Sequence, residues 1–578
     1  MRVRTKGDTK SELPAALGSC KSALVGIAAF SALINLLMLT SSVFMLEVYD
    51  RVLPSRSVPT LVGLSILAAV LLTFQALLEI TRGRLLVRIG SQFHARLSPR
   101  VYDAVVRMQS KPGSDGQQPV RDLDTIRSFI SGTGPNALFD LPWVPLYLAV
   151  CFAFHTLIGV TALAGAIVLI ALTFLAEWLS RRPVKAVTAH AAARNRFAEA
   201  SRRNAEVIVA MGLSERLLSR WLDLGRDYLA QQKRASDVAG GLGSAGRTVR
   251  MALQSAVLGV GAYLVIQQEA TAGIIIASSI LSGRALAPID LAIANWKGFV
   301  SARQGWRRLD EVMAVLPRPA TRLELPPPAQ TLSLEALSVV PPGANAAVAQ
   351  DIRFTLKAGS ALAIVGPSGS GKSSLVRAIV GVWPAVHGCV RLDGAAIDQW
   401  APEARGRHIG YLPQDVELFE GTVVQNIARF EQDPSAAAVI AAAQAAGVHD
   451  LIVNLPDGYE TELGERGTAL SAGQQQRIAL ARALYGEPFL VVLDEPNSNL
   501  DSEGEEALTK AILGVRERGG IVIIVAHRPS ALAAVDHMLA MVRGRQQAFG
   551  PKDELLAKAV KRESNAPAPF KIVPRANG

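Results

Sequence analysis

Cysteine is nearly absent from this chain. The three that occur, Cys20, Cys151 and Cys389, lie far apart and show no metal-ligand spacing. That excludes a disulfide framework and a structural zinc site. Charge is also thin: 19% of the 578 residues are Asp, Glu, Lys or Arg, against 50% hydrophobic. A mean hydropathy of +0.26 is high for a soluble enzyme and points to membrane segments. What charge there is leans one way, with 60 Lys and Arg against 49 Asp and Glu, a net of +11. No cleavable signal peptide is evident, because the apolar run from Ala23 is too long for one and lacks a clear cleavage site. Internal repeats and long low-complexity tracts are missing as well. So is a basic stripe interleaved with aromatics, the mark of single-strand nucleic-acid binding. The length allows two or three domains.

What is present in the first half is a series of apolar runs. Residues 1–21 form a short basic tail (Arg2, Arg4, Lys6, Lys10, Lys21). Residues 23–46 are apolar apart from Ser, Thr and Asn35, and a helix needs ~20 such residues to cross the hydrocarbon core. A polar turn with Pro54 follows at residues 47–56, then a second run at 58–78. The third and fourth runs, 137–154 and 158–176, are joined by a tight turn near His155; the fifth is 251–266 and the sixth 271–294. The sixth has a short apolar core, interrupted by Arg284 and Asp290.

Between the second and third runs, Arg84, Arg88, Arg96, Arg100, Arg107, Lys111, Arg121 and Arg127 predict a basic helical hairpin outside the bilayer, broken at residues 111–116. Residues 181–250 are again helical and basic, opening on Arg181, Arg182, Lys185, Arg194, Arg196, Arg202 and Arg203. The loop after the first run holds only Arg51 and Arg56, and the turns after the third and fifth hold no Lys or Arg. By the positive-inside rule the tail and both long connections are cytoplasmic, and six spans return the chain to the cytoplasm. The charge excess therefore reads as topology and contact with lipid headgroups, not as a nucleic-acid surface.

Ionisable groups within spans are functional candidates. They are Asp140, in the stretch FDLPW at residues 139–143, and Arg284 and Asp290 in the sixth run. Two readings stay open. In one, Asp140 caps a helix near the interface while Arg284 and Asp290 snorkel or pair. In the other, Arg284 lines a polar path for cargo. The membrane domain thus covers residues 22–315, and a proline-rich linker at 316–330 marks its end. Residues 331–560 alternate short apolar strands with helices, which implies an α/β domain with a largely parallel core sheet. Residues 561–578 read as a disordered tail.

In this second domain, GPSGSGKS at residues 366–373 follows the apolar run 361–365 and precedes a helix-like pattern from Ser374. Strand, glycine-rich turn and helix together make a phosphate loop. The glycines let backbone N–H groups curl around a polyphosphate, and the helix N-terminus adds donors and a positive dipole end. Gly366, Pro367, Ser368, Gly369, Ser370, Gly371, Lys372, Ser373 and Ser374 are the expected contacts. Lys372 reaches the β- and γ-phosphates and Ser373 holds Mg²⁺. Residues 490–495, LVVLDE, predict a buried strand ending in two carboxylates. Asp494 organises Mg²⁺ and its waters, and Glu495 polarises an attacking water as general base. Gln414, after the strand-like residues 408–412, supplies an amide to the metal or the water; His527, at the end of the apolar run 521–526, donates to the γ-phosphate. Ser471 and Gly473, in LSAGQ at residues 470–474, open a helix and offer a second anion-binding N-terminus.

In this order, GPSGSGKS, Gln414, LSAGQ, LVVLDE, the SNLD of residues 498–501 and His527 resemble the nucleotide-binding domain of an ABC transporter. LSAGQ separates that family from other phosphate-loop ATPases. The resemblance implies ATP and Mg²⁺ as cofactors. It implies that Ser471, Gly473 and Gln474 bind the γ-phosphate of ATP held by the opposite subunit, and hence a homodimer. The fold it implies is an α-helical six-span transmembrane domain of the ABC exporter type followed by an α/β P-loop ATPase domain. Four stretches are similar to the permease/ATPase of type I protein secretion: DRVLPS at 50–55, FDLPW at 139–143, GYLPQDVELF at 410–419 and DEPNSNLD at 494–501. Asn497 and Asn499 look like the branch that exports metalloproteases, lipases and other glycine-rich-repeat proteins.

That branch implies a bacterial inner-membrane protein with cytoplasmic termini. Its expected partners are a periplasmic membrane-fusion adaptor, an outer-membrane channel protein, unfolded cargo with an uncleaved C-terminal signal, and membrane lipid, with no nucleic acid. No cysteine-protease domain precedes the first run, so leader-peptide cleavage is not expected. The rival functions are lipid or small-molecule export by the same machinery, and a non-transport ATPase role, which the six spans oppose. One departure stands out. Many family members place an aromatic residue roughly 25 positions before the phosphate loop to stack on adenine, and residues 338–342 here read SVVPP.

Overall fold

The computed structural model describes residues 12–108, 118–315, 325–344, 346–464, 467, 470–526 and 532–557. The chain divides into two compact units with the boundary at residues 317 and 318. Among the described residues of the first unit six helices are long and apolar enough to cross a membrane: Lys21–Ser55, Val58–Arg107, Gly134–Phe154, Thr156–Arg203, Ser214–Ile266 and Ala272–Ala314.

The apolar runs are only the inner parts of these helices. Val58–Met108 is one helix of 51 residues. That is about 76 Å at ~1.5 Å per residue, against a hydrocarbon core of ~30 Å. The second run and the first arm of the expected hairpin are therefore one rod. The fourth and fifth runs likewise extend into the basic segments beside them, as Thr156–Arg203 and Ser214–Ile266. A change from apolar to basic side chains alters what a helix faces, not whether its backbone ladder continues.

The expected turn at 47–56 is helical too. A π-helical stretch, Val48–Val52, runs into Leu53–Ser55 before Arg56 turns left-handed at φ 51°. Here the Asp50 carboxylate accepts from the Gly273 N–H at 2.9 Å and from the Thr271 hydroxyl at 2.5 Å. Asp50 thus caps the start of the sixth span from the end of the first. The third span is broken into Gly134–Asp140, a 3-10 turn at Leu141–Trp143, and Val144–Phe154, where Pro142 and Pro145 remove backbone donors.

The sixth span is a single 44-residue helix, Ala272–Val315. Its apolar window is 56% buried within the unit, against 11% for the second span. It therefore sits at the centre of the bundle, while the second span lies on the outside of the unit. Its weak hydropathy follows: a helix packed on other helices can carry small polar residues, and Ser278, Ser279 and Ser282 are buried there. Asp290 pairs with Arg250 of the Ser214–Ile266 helix.

The capping reading of Asp140 is corrected. The carboxylate makes no cap bond. It is buried in an ion pair with Arg82 at 2.9 Å and accepts from the Asn35 amide at 2.8 Å. Arg82 also donates to the Ser31 hydroxyl at 2.9 Å, and the Tyr147 hydroxyl donates to Asn35 Oδ1 at 2.9 Å. The basic tail holds structure as well. Glu12–Gly18 is a helix whose Leu13 and Ala16 are buried with Phe93, Leu97, Val101, Leu309 and Met313, and Glu12 pairs with Arg100 at 3.1 Å.

The second unit carries a ten-stranded sheet. One half of it, reaching from an edge, is five parallel strands in the order Ile409–Leu412, Leu490–Asp494, Ile521–Val525, Ala361–Val365 and His537–Val542. The middle three are buried almost throughout, as in a sheet covered on both faces. One face packs on the Lys372–Ile379 helix and Trp400, the other on the helices Ala472–Leu484 and Ser502–Glu517. Arg545–Pro551, Ala349–Lys357, Thr331–Val339, His387–Leu392 and Ala395–Ala396 continue the sheet to one side. Because the five strands are parallel, their carboxyl ends meet at one edge, where ligands bind in open α/β sheets. The expected linker residues 316–324 and the tail 561–578 lie outside the described residues.

Candidate functional site

The strand Ala361–Val365 delivers the chain into the phosphate loop at that edge. Two close approaches show why glycine is needed. A Cβ on Gly366 would stand 2.1 Å from the Met541 carbonyl oxygen. One on Gly371, at φ +92°, would stand 2.2 Å from that of Val348. Gly371 is the N-cap of Lys372–Ile379, so the left-handed turn it supplies aims the first helix amides into the loop. The Lys372 ammonium folds back over the loop and donates to the Gly366 and Pro367 carbonyls at 2.9 and 3.1 Å. Burial pushes its pKa down, and the Glu495 and Asp494 charges oppose that shift. The Ser370 hydroxyl is buried and has no partner among the described residues. A buried ammonium, an unpartnered hydroxyl and a backbone cradle fit a polyphosphate.

Asp494 ends its strand level with Val525, which is itself level with Ile364 on the other side. Register thereby sets the carboxylate beside the loop. Its Oδ1 accepts from the Ser373 hydroxyl at 3.2 Å, while Oδ2 is buried without a partner among the described residues. Burial pushes the Asp494 carboxyl above its ordinary range; the Ser373 bond opposes this and the Glu495 charge adds to it. Among the described residues no cluster of three His, Cys, Asp or Glu side chains could hold a metal. The Ser373 and Asp494 pair nevertheless fits Mg²⁺, which takes one or two protein oxygens and completes its shell with phosphate and water.

Glu495 follows in a left-handed conformation at φ 52°. For a non-glycine residue this costs on the order of 1–3 kcal/mol and persists only where surroundings enforce it. Its backbone N–H donates to Val525. Its Oε2 accepts from the Gln414 amide at 3.2 Å, so the strand ends at Leu412 and Asp494 bring these two side chains together.

Ser471, Gly473 and Gln474 stand elsewhere. Ser471 caps the helix Ala472–Leu484 in a reciprocal capping box with Gln474, and its side chain is exposed. Among the described residues no hydrogen bond joins this helix end to the phosphate loop. His527 lies outside the described residues.

Residues 349–498 match the family described as ABC transporter, and residues 24–287 match the ABC transporter transmembrane region. Over 561 residues the chain is 55% identical to the type I secretion system ATP-binding protein PrsD of Rhizobium meliloti, covering 97% of this chain and 96% of that one. The chain belongs to the ABC transporter family, among its type I secretion proteins. The transporter is also 30% identical over 536 residues to the cyclolysin secretion/processing ATP-binding protein CyaB of Bordetella pertussis, covering 91% of this chain and 75% of that one. Its fold matches a bacterial Atm1-family ABC exporter with ATP bound, with a TM-score of 0.80 at 23% identity, over 95% of this chain and 100% of that one. It is an integral membrane protein that binds ATP and couples its hydrolysis to transport.

One substitution tests the loop of this transporter directly. Gly371→Ala forces a Cβ into the Val348 carbonyl at a left-handed φ. A strain of about 1–3 kcal/mol corresponds to an ATP affinity lower by ~10- to 100-fold. Titration with a fluorescent ATP analogue measures it, and an unchanged affinity would show that the loop relaxes freely.

Proposed function

We propose that this chain is the ATP-driven permease of a type I protein secretion system. One observation carries the reading: a phosphate loop, the Ser373–Asp494 pair and the Gln414–Glu495 pair share one sheet edge in a chain 55% identical to a type I secretion ATP-binding protein. The triphosphate of ATP lies along Gly366, Pro367, Ser368, Gly369, Ser370, Gly371, Lys372, Ser373 and Ser374. Lys372 exchanges the Gly366 and Pro367 carbonyls for the β- and γ-phosphates. Ser373, Asp494 and Gln414 hold Mg²⁺, which when bound offsets the charge that develops on the phosphoryl oxygens. Glu495 accepts a proton from a water whose oxygen bonds to the γ-phosphorus. The bond from that phosphorus to the β-phosphate oxygen breaks, and ADP and phosphate leave. His527 donates to the γ-phosphate.

Ser471, Gly473 and Gln474 act on the ATP of a second copy, because an exposed capped helix end can meet an anion only from outside its own loop. The working unit is then a homodimer in the inner membrane. The distribution of basic residues puts both termini in the cytoplasm. An adaptor, an outer-membrane channel and an unfolded protein with a C-terminal signal complete the system.

The test compares secreted proteins from cells carrying wild type and Glu495→Gln at equal expression. One or a few glycine-repeat proteins are expected to vanish from the medium and accumulate inside. An unchanged secreted set with altered lipid composition or drug resistance would overturn protein export in favour of small-molecule or lipid export.

A further inference from the structure

We infer that Gln476 is a positioning residue for hydrolysis: it fixes the turn after Glu495 and thereby the aim of that carboxylate. The inference rests on Glu495 being the general base. Gln476 lies in the helix that Ser471 opens, Ala472–Leu484, and is 2% exposed. Both ends of its amide are spent on one piece of backbone. Nε2 donates to the Pro496 carbonyl, and Oε1 accepts from the Asn499 N–H at 3.2 Å. Pro496 and Asn499 bracket the turn that immediately follows Glu495.

Four further observations place the hold on the turn here. A Cβ on Gly473 would stand 2.8 Å from the Asn499 carbonyl oxygen, so helix and turn touch through backbone. Gly473, Gln476 and Arg477 share one helix face by their three- and four-residue spacing, and Arg477 reaches Asp501 at 2.5 Å. Inside the turn, Asn497 is buried and its Nδ2 has no partner among the described residues, so that amide group does not brace it there. Within the turn, the Ser498 N–H donates to the Glu495 carbonyl in a long bond of 3.3 Å. A left-handed Glu495 at φ 52° needs its surroundings to hold it, and Gln476 is the group that spans both ends of the adjoining turn. No other side chain of this length offers a donor and an acceptor together at its tip. Because the same helix presents Ser471 and Gly473 at its exposed end, seating that end on the second copy's nucleotide is felt at Glu495 through Gln476.

The experiment uses the full-length transporter in proteoliposomes and measures kcat and KM for ATP, with the thermal midpoint alongside. Gln476→Met keeps the shape and removes both bonds. Gln476→Glu keeps the acceptor for Asn499 and puts a second acceptor against the Pro496 carbonyl. Each is expected to lower kcat by ~10- to 100-fold, with KM close to wild type and a lower midpoint, because the Pro496 carbonyl or the Asn499 N–H loses its buried partner. In a Glu495→Gln background, Gln476→Met is expected to add no further loss to the single-turnover rate, because a residue acting through Glu495 has nothing left to aim. A kcat within about twofold of wild type in Gln476→Met would overturn the inference. So would a further loss in the double variant, or a kcat that falls only as far as folded protein is lost. If Gln476→Met does not accumulate, Gln476→Glu carries the same cycle. Wild-type turnover in Glu495→Gln would instead sink the base assignment, whereas an inactive Glu495→Gln beside a normal Gln476→Met would sink the positioning role alone.

Discussion

Replacing Glu495 with Gln is expected to lower steady-state ATP turnover by ~10²- to 10⁴-fold, the range a general base contributes, while ATP binding is kept. The substitution is nearly isosteric. The left-handed backbone at φ 52° and the N–H bond to Val525 do not depend on the side-chain charge. The Gln414 amide, 3.2 Å from Glu495 Oε2, can donate to an amide oxygen as it does to a carboxylate. Lys372, Ser373 and Asp494, which this reading assigns to phosphate and Mg²⁺, are untouched. Loss of kcat without loss of affinity marks an interaction made only in the transition state. Phosphate release and ATP titration on the same preparation separate the two quantities. Turnover at the wild-type level would remove Glu495 from the chemistry, and a parallel fall in affinity would reassign it to ground-state binding.

The parts of this site that could be read beforehand are those where chemistry and chain continuity coincide. GPSGSGKS carries its own strand, turn and helix, so the residues around Gly371 need no distant partner to be interpreted. Asp494 and Glu495 announce themselves because two carboxylates at the end of four buried apolar residues are costly unless used. Gln476 is different. It is one of three consecutive glutamines, and only the approach of residues 496–499 to that helix face distinguishes it from its neighbours.

The membrane unit divides in the same way. Six apolar runs were visible in composition, but the sixth span read as the weakest and is the most enclosed of the six. Hydropathy measures fitness for lipid, and this helix meets protein. Arg82 was hidden by company. It stands two residues from Arg84 in a basic stretch, and only tertiary structure shows that Arg84 is exposed while Arg82 turns inward to Asp140. Leu13 and Ala16 were concealed in the same manner within a basic tail.

That inward turn sets the second large effect. Asp140→Ala is expected to destabilise the membrane unit by about 3–5 kcal/mol, because it leaves a buried guanidinium without its counter-charge. Arg82 is 6% exposed. It lies about 36 Å along its helix from Val58 at ~1.5 Å per residue, near the far edge of a ~30 Å hydrocarbon core. An arginine at such an edge can snorkel to headgroups, as the exposed Arg84 and Arg88 are free to do. Arg82 instead donates to Asp140 and Ser31, and Asp140 and Tyr147 both bond Asn35. Loss of the carboxylate therefore strands Arg82 and removes one of the two acceptors of the Asn35 amide, leaving the Ser31 carbonyl at 2.8 Å. The double variant Arg82→Met, Asp140→Leu removes both charges and fills the space, and is expected to recover most of the lost stability. Thermal midpoints in detergent for wild type, Arg82→Met, Asp140→Leu and the double variant form the cycle, with Asp140→Ala measured alongside. A double variant no more stable than Asp140→Ala would show that the two charges do not answer to each other. If the double variant is stable and hydrolyses ATP yet no longer exports protein, the cluster contributes to the movement of the first three spans as well as to their packing.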